Sequence, residues 1–301
     1  MIPNALRSVA AHGPRSKLKV MMAADGIVRA PGVVDPIAAR LVEAAGFEAI
    51  YMTGGGLSRS LGFPDIGLLT MTEIIDRLRF IVRATDLPVI ADADTGYGNA
   101  LNLVRAVAEF EEAGAAAIHI EDQVTPKKCG HYSGKELISI GEMTKKLEAA
   151  LAARRDPDML IIARTDARAV EGMDGVRKRA LAYAKMGVDA IFFEAPESLA
   201  EIKQLREDSE LPLLINAFAG GKTPPIKVGE LAAFGVKIVI FPSQLQRVAL
   251  RAMQFGLEIL KTGDVAGAEI EKLSMSFKDR DLLIGLGEIS QLETRYLRED
   301  S

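Results

Sequence analysis

Residues 112–118 read EAGAAAI, and similar stretches occur at residues 44–50 (AAGFEAI), 185–191 (KMGVDAI) and 233–239 (AFGVKIV). In each stretch a glycine follows a segment of helical pattern and precedes a run of apolar residues. Glycine readily takes the left-handed conformation with which many helices end. A short, continuous apolar run is typical of a strand buried in a parallel sheet. The recurrence therefore predicts a repeated unit in which each helix is followed at once by a buried strand.

The same alternation extends outward over most of the chain, where short β-rich apolar runs separate segments of helical period. The predicted strands are Lys19–Ala24, Ala49–Gly54, Pro88–Asp94, Ala117–Asp122, Met159–Asp166, Ala190–Ala195, Leu213–Phe218 and Lys237–Phe241. The predicted helices between them include Asp35–Ala45, Met71–Ala84, Ala100–Ala113, Ile140–Arg154, Gly175–Lys185 and Ile226–Ala233. Eight strands that each precede a helix favour an α/β fold of the closed (β/α)8 type, a TIM barrel, over an open sheet.

The two ends of the chain lie outside this alternation. A short helix is predicted at Ile2–His12, before the first strand. After Phe241 the sequence is helical, and the segment Gln244–Thr262 is long enough to close the barrel. The remainder, from about residue 263 to 301, exceeds what an eighth helix requires. We interpret residues 1–301 as a single barrel domain with a C-terminal helical extension that packs elsewhere, for example on another subunit.

The composition argues against several classes of protein. The chain has 301 residues, of which 49% are hydrophobic, and can bury a full core. A formal net charge of -4 with interspersed acids and bases gives no basic face for nucleic acid. A single cysteine excludes an internal disulfide and is typical of a reducing compartment. The sequence shows neither a signal peptide nor an apolar run that could cross a bilayer, so we expect a cytoplasmic protein.

Acidic residues end several of the predicted strands, at the edge where TIM barrels carry their active sites. Asp92 and Asp94 end the third strand, and Glu121 ends the fourth. Together they predict a cluster of hard oxygen ligands, which suits Mg²⁺ or Mn²⁺. The alternative is that these acids cap strands or pair with Arg164. The three histidines and the cysteine lack the spacing of a zinc site.

A glycine-rich run, residues 53–56 (TGGG), follows the second strand. Backbone amides of such a run can approach a carboxylate or a phosphate closely, although a simple turn is an equal alternative. Arg164 ends the fifth strand and can bind a carboxylate with two parallel hydrogen bonds, unless it is a structural arginine. With Asn216 and Thr223, these residues indicate a pocket for a small polyanion bound to a metal.

The only cysteine lies in the run KKCGH, residues 127–131. Nearby cations favour the thiolate, and Lys127, Lys128 and His131 supply positive charge beside Cys129. A buried packing cysteine is the alternative. The polar run around Cys129, with Gly130 and Gly134, suits a lid that brings in a late catalytic group. The composite prediction is a metal-assisted reaction on a carboxylated substrate, in which Cys129 donates or accepts a proton.

Eight motifs between about residues 22 and 251 resemble those of the isocitrate lyase and phosphoenolpyruvate mutase superfamily. They are YMTGGG (51–56), LGFPDIG (61–67), DADTGYG (92–98), HIEDQ (119–123), KKCGH (127–131), ARTDA (163–167), FFEA (192–195) and GGKTP (220–224). Singly they are modest, but jointly and in this order they are highly specific. The resemblance implies a (β/α)8 barrel in which helices are swapped between subunits of a homotetramer, a dimer of dimers. That arrangement would account for the surplus C-terminal helices.

The resemblance also implies roles for individual residues. Asp92 is similar to the direct Mg²⁺ ligand of the family, and Asp65, Asp94 and Glu121 are similar to the carboxylates that hold the water ligands of the metal. Substrate-binding positions of the family match Thr53, Gly54, Gly55, Arg164, Glu194, Asn216 and Thr223, and Phe192 lies where methylisocitrate lyases carry Phe. Catalytic roles are implied for Cys129, with Lys127 and His131 beside it. Tyr51 and the metal-linked carboxylates are candidates for the proton acceptor.

Within the superfamily, Cys129 favours the lyase branch, where this cysteine protonates the carbanion left by carbon–carbon cleavage. The resemblance therefore implies a retro-aldol lyase that splits 2-methylisocitrate into pyruvate and succinate. Two departures leave other substrates open: Lys128 replaces a common Arg, and Ala219 replaces a common Glu. The alternatives are 2,3-dimethylmalate lyase and oxaloacetate hydrolase or decarboxylase. A phosphonomutase acting on phosphoenolpyruvate or carboxyphosphonoenolpyruvate is a weaker alternative.

Overall fold

The computed structural model describes residues 12–130, 132–217, 227–263 and 267–297. Eight parallel strands form a closed barrel in sequential order, which confirms the predicted (β/α)8 fold. The strands are β1 Val28–Val33, β2 Ile50–Met52, β3 Val89–Asp92, β4 Ala117–Glu121, β5 Leu160–Thr165, β6 Ala190–Phe193, β7 Leu213–Asn216 and β8 Val236–Phe241. The prediction of Lys19–Ala24 as the first strand was wrong, and seven of the eight predicted strands coincide with these.

The described helices are α1 His12–Ala23, α2 Pro36–Ala44, α3 Gly54–Ser60, α4 Met71–Arg83, α5 Ala100–Glu112, α6 Ile140–Ala153, α7 Gly172–Ala184, α8 Leu199–Asp208, α9 Val228–Ala233, α10 Gln244–Lys261, α11 Ala268–Leu273, α12 Phe277–Leu283 and α13 Leu286–Tyr296. The predicted helix Ile2–His12 lies outside the described residues, except for His12, where α1 begins. The four repeated glycines adopt positive φ, as the pattern predicts: Gly46, Gly114, Gly187 and Gly235, with φ between 71° and 93°.

The first strand was missed because its sequence, VRAPGV, carries a proline and a glycine that normally argue against a strand. The glycine has a tertiary reason. A Cβ at Gly32 would lie 2.4 Å from the carbonyl oxygen of Pro242, so only glycine lets β1 pass the end of β8. Residues 19–23 belong instead to α1, which contributes Leu18 to the core inside the barrel.

Two hydrophobic cores alternate along the strands. Residues pointing outward, such as Ile118 and Ile161, pack against the helices. Residues pointing inward, such as Ile90, Ile162 and Leu214, fill the barrel together with Leu18. Because side chains alternate between the two faces of a strand, the inward-facing series continues upward into the polar residues at the strand ends. The fold thereby directs those polar side chains into one mouth.

The C-terminal helices contrast with the barrel, since none of the described residues in α10–α13 is buried. Among the few contacts of these helices with the barrel, Arg40 on α2 donates a hydrogen bond to the carbonyl oxygen of Leu283, 2.9 Å away. Among the described residues, every helix is too short or too polar to span a bilayer.

Candidate active site

The barrel mouth contains a cavity of about 270 Å³. It is lined by nearly all the described residues that the sequence singled out, namely Tyr51, Thr53, Gly55, Asp65, Asp92, Lys127, Cys129, Arg164, Phe192, Glu194 and Asn216, and also by Arg59, Gly130, Ile240, Pro242, Ser243 and Arg247. Two predicted site residues, His131 and Thr223, lie outside the described residues. The structure thus brings Asp65 and Asp92 to one cavity with Cys129 and most of the predicted substrate residues, whereas Gly54, Asp94 and Glu121 are not among the lining residues.

Asp92 lies at the end of β3, in the middle of a hydrogen-bond network. Its Oδ1 accepts from the Asp94 amide at 3.0 Å, and its Oδ2 accepts from the Gly54 amide and the Tyr51 hydroxyl, each at 3.3 Å. Burial alone would raise its pKa, but His119, Lys127 and Arg164 together lower the pKa of Asp92 to about 2. The carboxylate is therefore ionised across the physiological pH range and retains lone pairs directed at the cavity.

Lys127 reaches into the same cluster from the cysteine-bearing segment. Its Nζ lies 2.6 Å from Asp65 Oδ1 and 2.9 Å from Asp94 Oδ1, and the side chain is buried. Burial alone would lower the pKa of Lys127, but the carboxylates of Asp94, Glu121, Asp65 and Asp92 raise it well above its usual value. Asp65 and Asp94 thus bind a cation, supplied here by the chain itself.

Glu121 and Arg164 face each other on neighbouring strands, paired in register. Arg164 Nε lies 3.3 Å from Glu121 Oε2 and donates a 2.9 Å hydrogen bond to Asp166 Oδ2. Glu194 Oε2 lies 3.9 Å from Arg164 Nη2. Arg164 therefore pairs with acids, as one alternative interpretation held, while it also lines the cavity. Its structural role and a role in binding substrate do not exclude each other.

The carboxylate set fits a hard divalent cation. Both carboxylate oxygens of Glu121 are buried, and neither accepts a hydrogen bond within the part of the chain that the structure describes. Burial raises the pKa of Glu121 well above its usual range and that of Asp94 to about 6, so added positive charge would favour their ionised forms. No three carboxylate, histidine or cysteine side chains of the described ranges converge into a complete ligand set.

The glycine-rich run differs from its prediction as a loop. Residues Gly54 to Ser60 form α3, and Thr53 caps it by accepting a hydrogen bond from the Gly56 amide at 3.1 Å. A Cβ at Gly54 would lie 2.7 Å from Asp92 Oδ2, and one at Gly55 would lie 2.5 Å from Asp65 Oδ2. The glycines therefore let two carboxylates approach the backbone, a reason that the sequence alone did not reveal.

His119 lies in the middle of β4, and the sequence assigned it no role. The ring is fully buried, and its Nε2 lies 2.9 Å from the Tyr51 hydroxyl. Burial lowers the pKa of His119 to about 4, so the ring is neutral at physiological pH. Burial and the charge of Asp92 raise the pKa of Tyr51, which keeps it a phenol in the free site. The one available signal was position, since His119 lies on the inward-facing series two residues before Glu121.

The cysteine-bearing segment is docked against the mouth. The Cys129 amide donates to the Asp65 carbonyl oxygen at 3.1 Å, and Cys129 is half-buried rather than a core residue. Lys128 turns outward, where its Nζ binds the Gly134 carbonyl oxygen at 2.7 Å. Gly130 packs so closely on Glu194 that a Cβ would lie 2.4 Å from Glu194 Oε1. Of the two lysines, only Lys127 therefore directs its charge into the site.

The chain is similar in sequence and in structure to several known proteins. Residues 18–260 match the family model described as phosphoenolpyruvate phosphomutase. A 2,3-dimethylmalate lyase of Eubacterium barkeri is 44% identical over 282 residues, which cover 93% of this chain and 97% of that protein. A 2-methylisocitrate lyase of Aeropyrum pernix is 48% identical over 251 residues, 83% of this chain and 81% of that protein. A solved phosphoenolpyruvate phosphomutase from Streptomyces platensis subsp. rosaceus superposes with a TM-score of 0.90 at 35% identity, covering 95% of this chain and 100% of that one.

Proposed function

The chain belongs to the phosphoenolpyruvate mutase and isocitrate lyase superfamily and is a carbon–carbon lyase, and we propose that it cleaves a 2-hydroxy di- or tricarboxylate by retro-aldol chemistry. The products would be a 2-keto acid such as pyruvate and a carboxylic acid such as succinate. The observation that carries this proposal is the single cavity that joins the Asp92 cluster, Arg164 and Cys129. Carbon–carbon cleavage needs all three functions, namely stabilisation of the oxygen left behind, anchoring of a carboxylate and protonation of the departing carbon.

We propose Mg²⁺, or alternatively Mn²⁺, as the cofactor, with Asp92 as its direct ligand and Asp65, Asp94 and Glu121 holding its waters. When bound, it would stabilise negative charge on the oxygens of the 2-hydroxy acid. Asp92 already retains its negative charge in the free protein, as its lowered pKa requires. Metal titration by calorimetry tests the assignment: the Asp92→Ala variant should bind Mg²⁺ far more weakly and lose metal-dependent turnover. Unchanged binding would exclude Asp92 as the ligand.

Protein side chains supply the other steps. Arg164, whose guanidinium lies at the cavity wall, would orient a substrate carboxylate together with Asn216 and the segment Thr53–Gly55. The Tyr51 hydroxyl lies within hydrogen-bond distance of both His119 and Asp92, so a proton from the substrate hydroxyl has a route into this network. Cys129 would deliver a proton to the departing carbanion. General acid catalysis of this kind is worth on the order of 10² to 10⁴ in rate.

For the substrate we propose 2-methylisocitrate first and 2,3-dimethylmalate as the alternative. Phe192 gives the cavity an apolar wall that suits a methyl group. Its position is fixed from two sides, since the His119 ring packs edge-on at 5.1 Å and the Arg164 guanidinium lies 4.9 Å from the ring centroid. The dimethylmalate alternative is supported by a relative that matches nearly the whole chain. Ala219, which bears on the choice, lies outside the described residues.

The decisive assay measures pyruvate release with Mg²⁺ from 2-methylisocitrate, 2,3-dimethylmalate, isocitrate and oxaloacetate, with succinate, glyoxylate and oxalate followed in parallel. We expect the highest kcat/KM for 2-methylisocitrate, at least tenfold above the others, and a loss of at least a hundredfold in Cys129→Ser. Oxalate from oxaloacetate as the main product would identify a hydrolase instead. Turnover of phosphonopyruvate, with none of the hydroxy acids cleaved, would identify a phosphonate enzyme.

We also propose that a second copy of this chain covers the C-terminal helices, in a helix-swapped homotetramer. The helix α10 leaves large apolar residues exposed, such as Val248, Met253 and Leu257 at 61–68%. Among the described residues, no other part of the same chain buries them. A Leu257→Glu variant should reduce the mass measured by analytical ultracentrifugation. The matched control Val20→Glu, 67% exposed on α1, should leave the mass unchanged. Equal masses for Leu257→Glu and the wild type would refute the placement of the interface.

A further inference from the structure

Gln123 forms two hydrogen bonds to a single residue next to the cysteine. Its Oε1 accepts from the Lys128 amide at 2.9 Å, and its Nε2 donates to the Lys128 carbonyl oxygen at 2.8 Å. The Gln123 side chain is only 2% exposed, whereas Lys128 is exposed, so these bonds are partly buried. Two bonds to the amide and the carbonyl of one residue restrict both of its backbone torsions. The peptide that leads into Cys129 is therefore fixed in orientation.

Gln123 is itself held firmly. It lies two residues after the end of β4. Its backbone forms an antiparallel bridge with Leu137, where the chain returns to the barrel. The next residue reinforces the bridge, since the Val124 amide donates to the Glu136 carbonyl oxygen at 2.8 Å. The bridge thus closes the base of the loop that carries Cys129, and the Gln123 side chain reaches from that base to Lys128. It connects the rigid barrel to the cysteine.

Two other contacts of the loop are ionic. Lys127 pairs with Asp65 and Asp94, and Lys135 pairs with Asp166 at 2.9 Å, so both depend on the charge of the acidic cluster. The Gln123 contacts are neutral, and none of them involves a carboxylate of the proposed metal site. Substituting Gln123 by a neutral residue therefore leaves the charge of the cluster unchanged. Its effect on Cys129 can be measured separately from any effect on metal binding.

We infer that Gln123 is a positioning residue for Cys129: it holds the Lys128 peptide so that the thiol faces the cavity in the docked segment. Without it, the loop would keep its ionic contacts at Lys127 and Lys135 and the bond from the Cys129 amide to the Asp65 carbonyl oxygen, but would lose both restraints on the Lys128 peptide. The thiol would then sample orientations outside the cavity. The consequence for catalysis rests on the proposed function, because only there does Cys129 donate the proton.

The test uses the fact that Cys129 is the only cysteine of the chain, so that alkylation by iodoacetamide reports on one thiol. The rate is followed by intact mass spectrometry on the native protein. Gln123→Met keeps a side chain of similar length but removes both hydrogen bonds, and we expect the alkylation rate to rise at least tenfold. Gln123→Glu keeps the acceptor for the Lys128 amide but sets a carboxylate oxygen against the Lys128 carbonyl oxygen, which repels it, so its rate should rise at least as much as that of Gln123→Met.

The control is Ser198→Ala, which removes the cap of α8 by deleting the acceptor of the Glu201 amide. It destabilises the fold without removing a contact of residues 123–137, so its alkylation rate should stay within twofold of wild type. In turnover, Gln123→Met should lower kcat at least tenfold while KM changes less than threefold.

Alkylation rates within twofold of wild type for both Gln123 variants would overturn the inference. Faster alkylation with unchanged kcat would support the positioning of Cys129 and instead refute its role as proton donor. An equal increase in alkylation rate in Ser198→Ala and Gln123→Met would also overturn the inference, because a general loss of stability would then explain both increases.

Discussion

Gly55→Ala changes one hydrogen to a methyl group at the point where Asp65 approaches α3. The new Cβ would lie 2.5 Å from Asp65 Oδ2 and 3.0 Å from its Cγ, against an ordinary contact distance of at least 3.4 Å. Asp65 cannot retreat freely, because its Oδ1 is held 2.6 Å from Lys127 Nζ in a buried ion pair. Overpacking of this kind costs about 1–3 kcal/mol. The loss should be divided between folding and the affinity for Mg²⁺.

Two measurements account for that cost. Urea denaturation gives the change in free energy of unfolding, and calorimetric titration gives the change in Mg²⁺ affinity. We expect the two losses to sum to about 1–3 kcal/mol, equivalent to roughly 5- to 150-fold in an equilibrium constant. The expected sum is the same whether the helix α3 shifts, which lowers the unfolding free energy, or Asp65 shifts, which lowers the Mg²⁺ affinity.

The matched control is Gly141→Ala on α6, where the nearest atom to the new Cβ is Ser139 Oγ at 4.0 Å. Here the substitution meets open space, and the helical preference of alanine should stabilise the fold by up to about 1 kcal/mol. Opposite signs for the two variants would support the close approach of Asp65 to the backbone. A Gly55→Ala protein equal to wild type in both unfolding and Mg²⁺ binding would refute it.

Two further substitutions test buried ion pairs of the fold. Arg179→Met should destabilise the protein by about 3 kcal/mol in urea denaturation, because it leaves the fully buried Asp122, 3.3 Å from Arg179 Nη1, without its cation. The control is Arg280→Met, at a half-exposed pair on α12, which should change the unfolding free energy by less than about 1 kcal/mol. Equal losses in Arg179→Met and Arg280→Met would contradict a stabilising role for the buried pair. Arg15→Met removes the buried pair with Asp156 that fixes α1 across the base of the barrel, and should lower the thermal midpoint clearly; an unchanged midpoint would show that α1 contributes little to stability.

Much of the site was predictable because of the alternation of side chains along a strand. Once Ile90, Ala117 and Ile162 were assigned to strands, the polar residues that follow them on the same face, Asp92, Glu121 and Arg164, had to meet at the carboxyl edge of the sheet. The sequence pattern did not predict β1, because Pro31 and Gly32 are unusual inside a strand. The close packing against Pro242 explains the glycine. The sequence also did not predict α3, because three consecutive glycines are unusual at the start of a helix.

Long-range pairing lay beyond the sequence. Nothing in the run KKCGH distinguishes Lys127 from Lys128, yet one is buried between Asp65 and Asp94 and the other points to solvent. The choice depends on how residues 124–136 return to the barrel at Leu137. Likewise, the role of Gln123 depends on the closure of the loop at Leu137, which brings the Lys128 peptide against its side chain.

By itself, the sequence determined the barrel, the order of its strands and the chemical types of the groups at its mouth. These follow from local patterns, namely apolar runs, glycine at helix ends and polar residues at strand ends, which act over a few residues. Only the tertiary structure decided which acid pairs with which cation and why Gly54 and Gly55 are glycines. It also decided how Cys129 is held against the cavity. Such features depend on distances of a few ångströms between segments far apart in the chain, and these distances are set by the closure of the barrel.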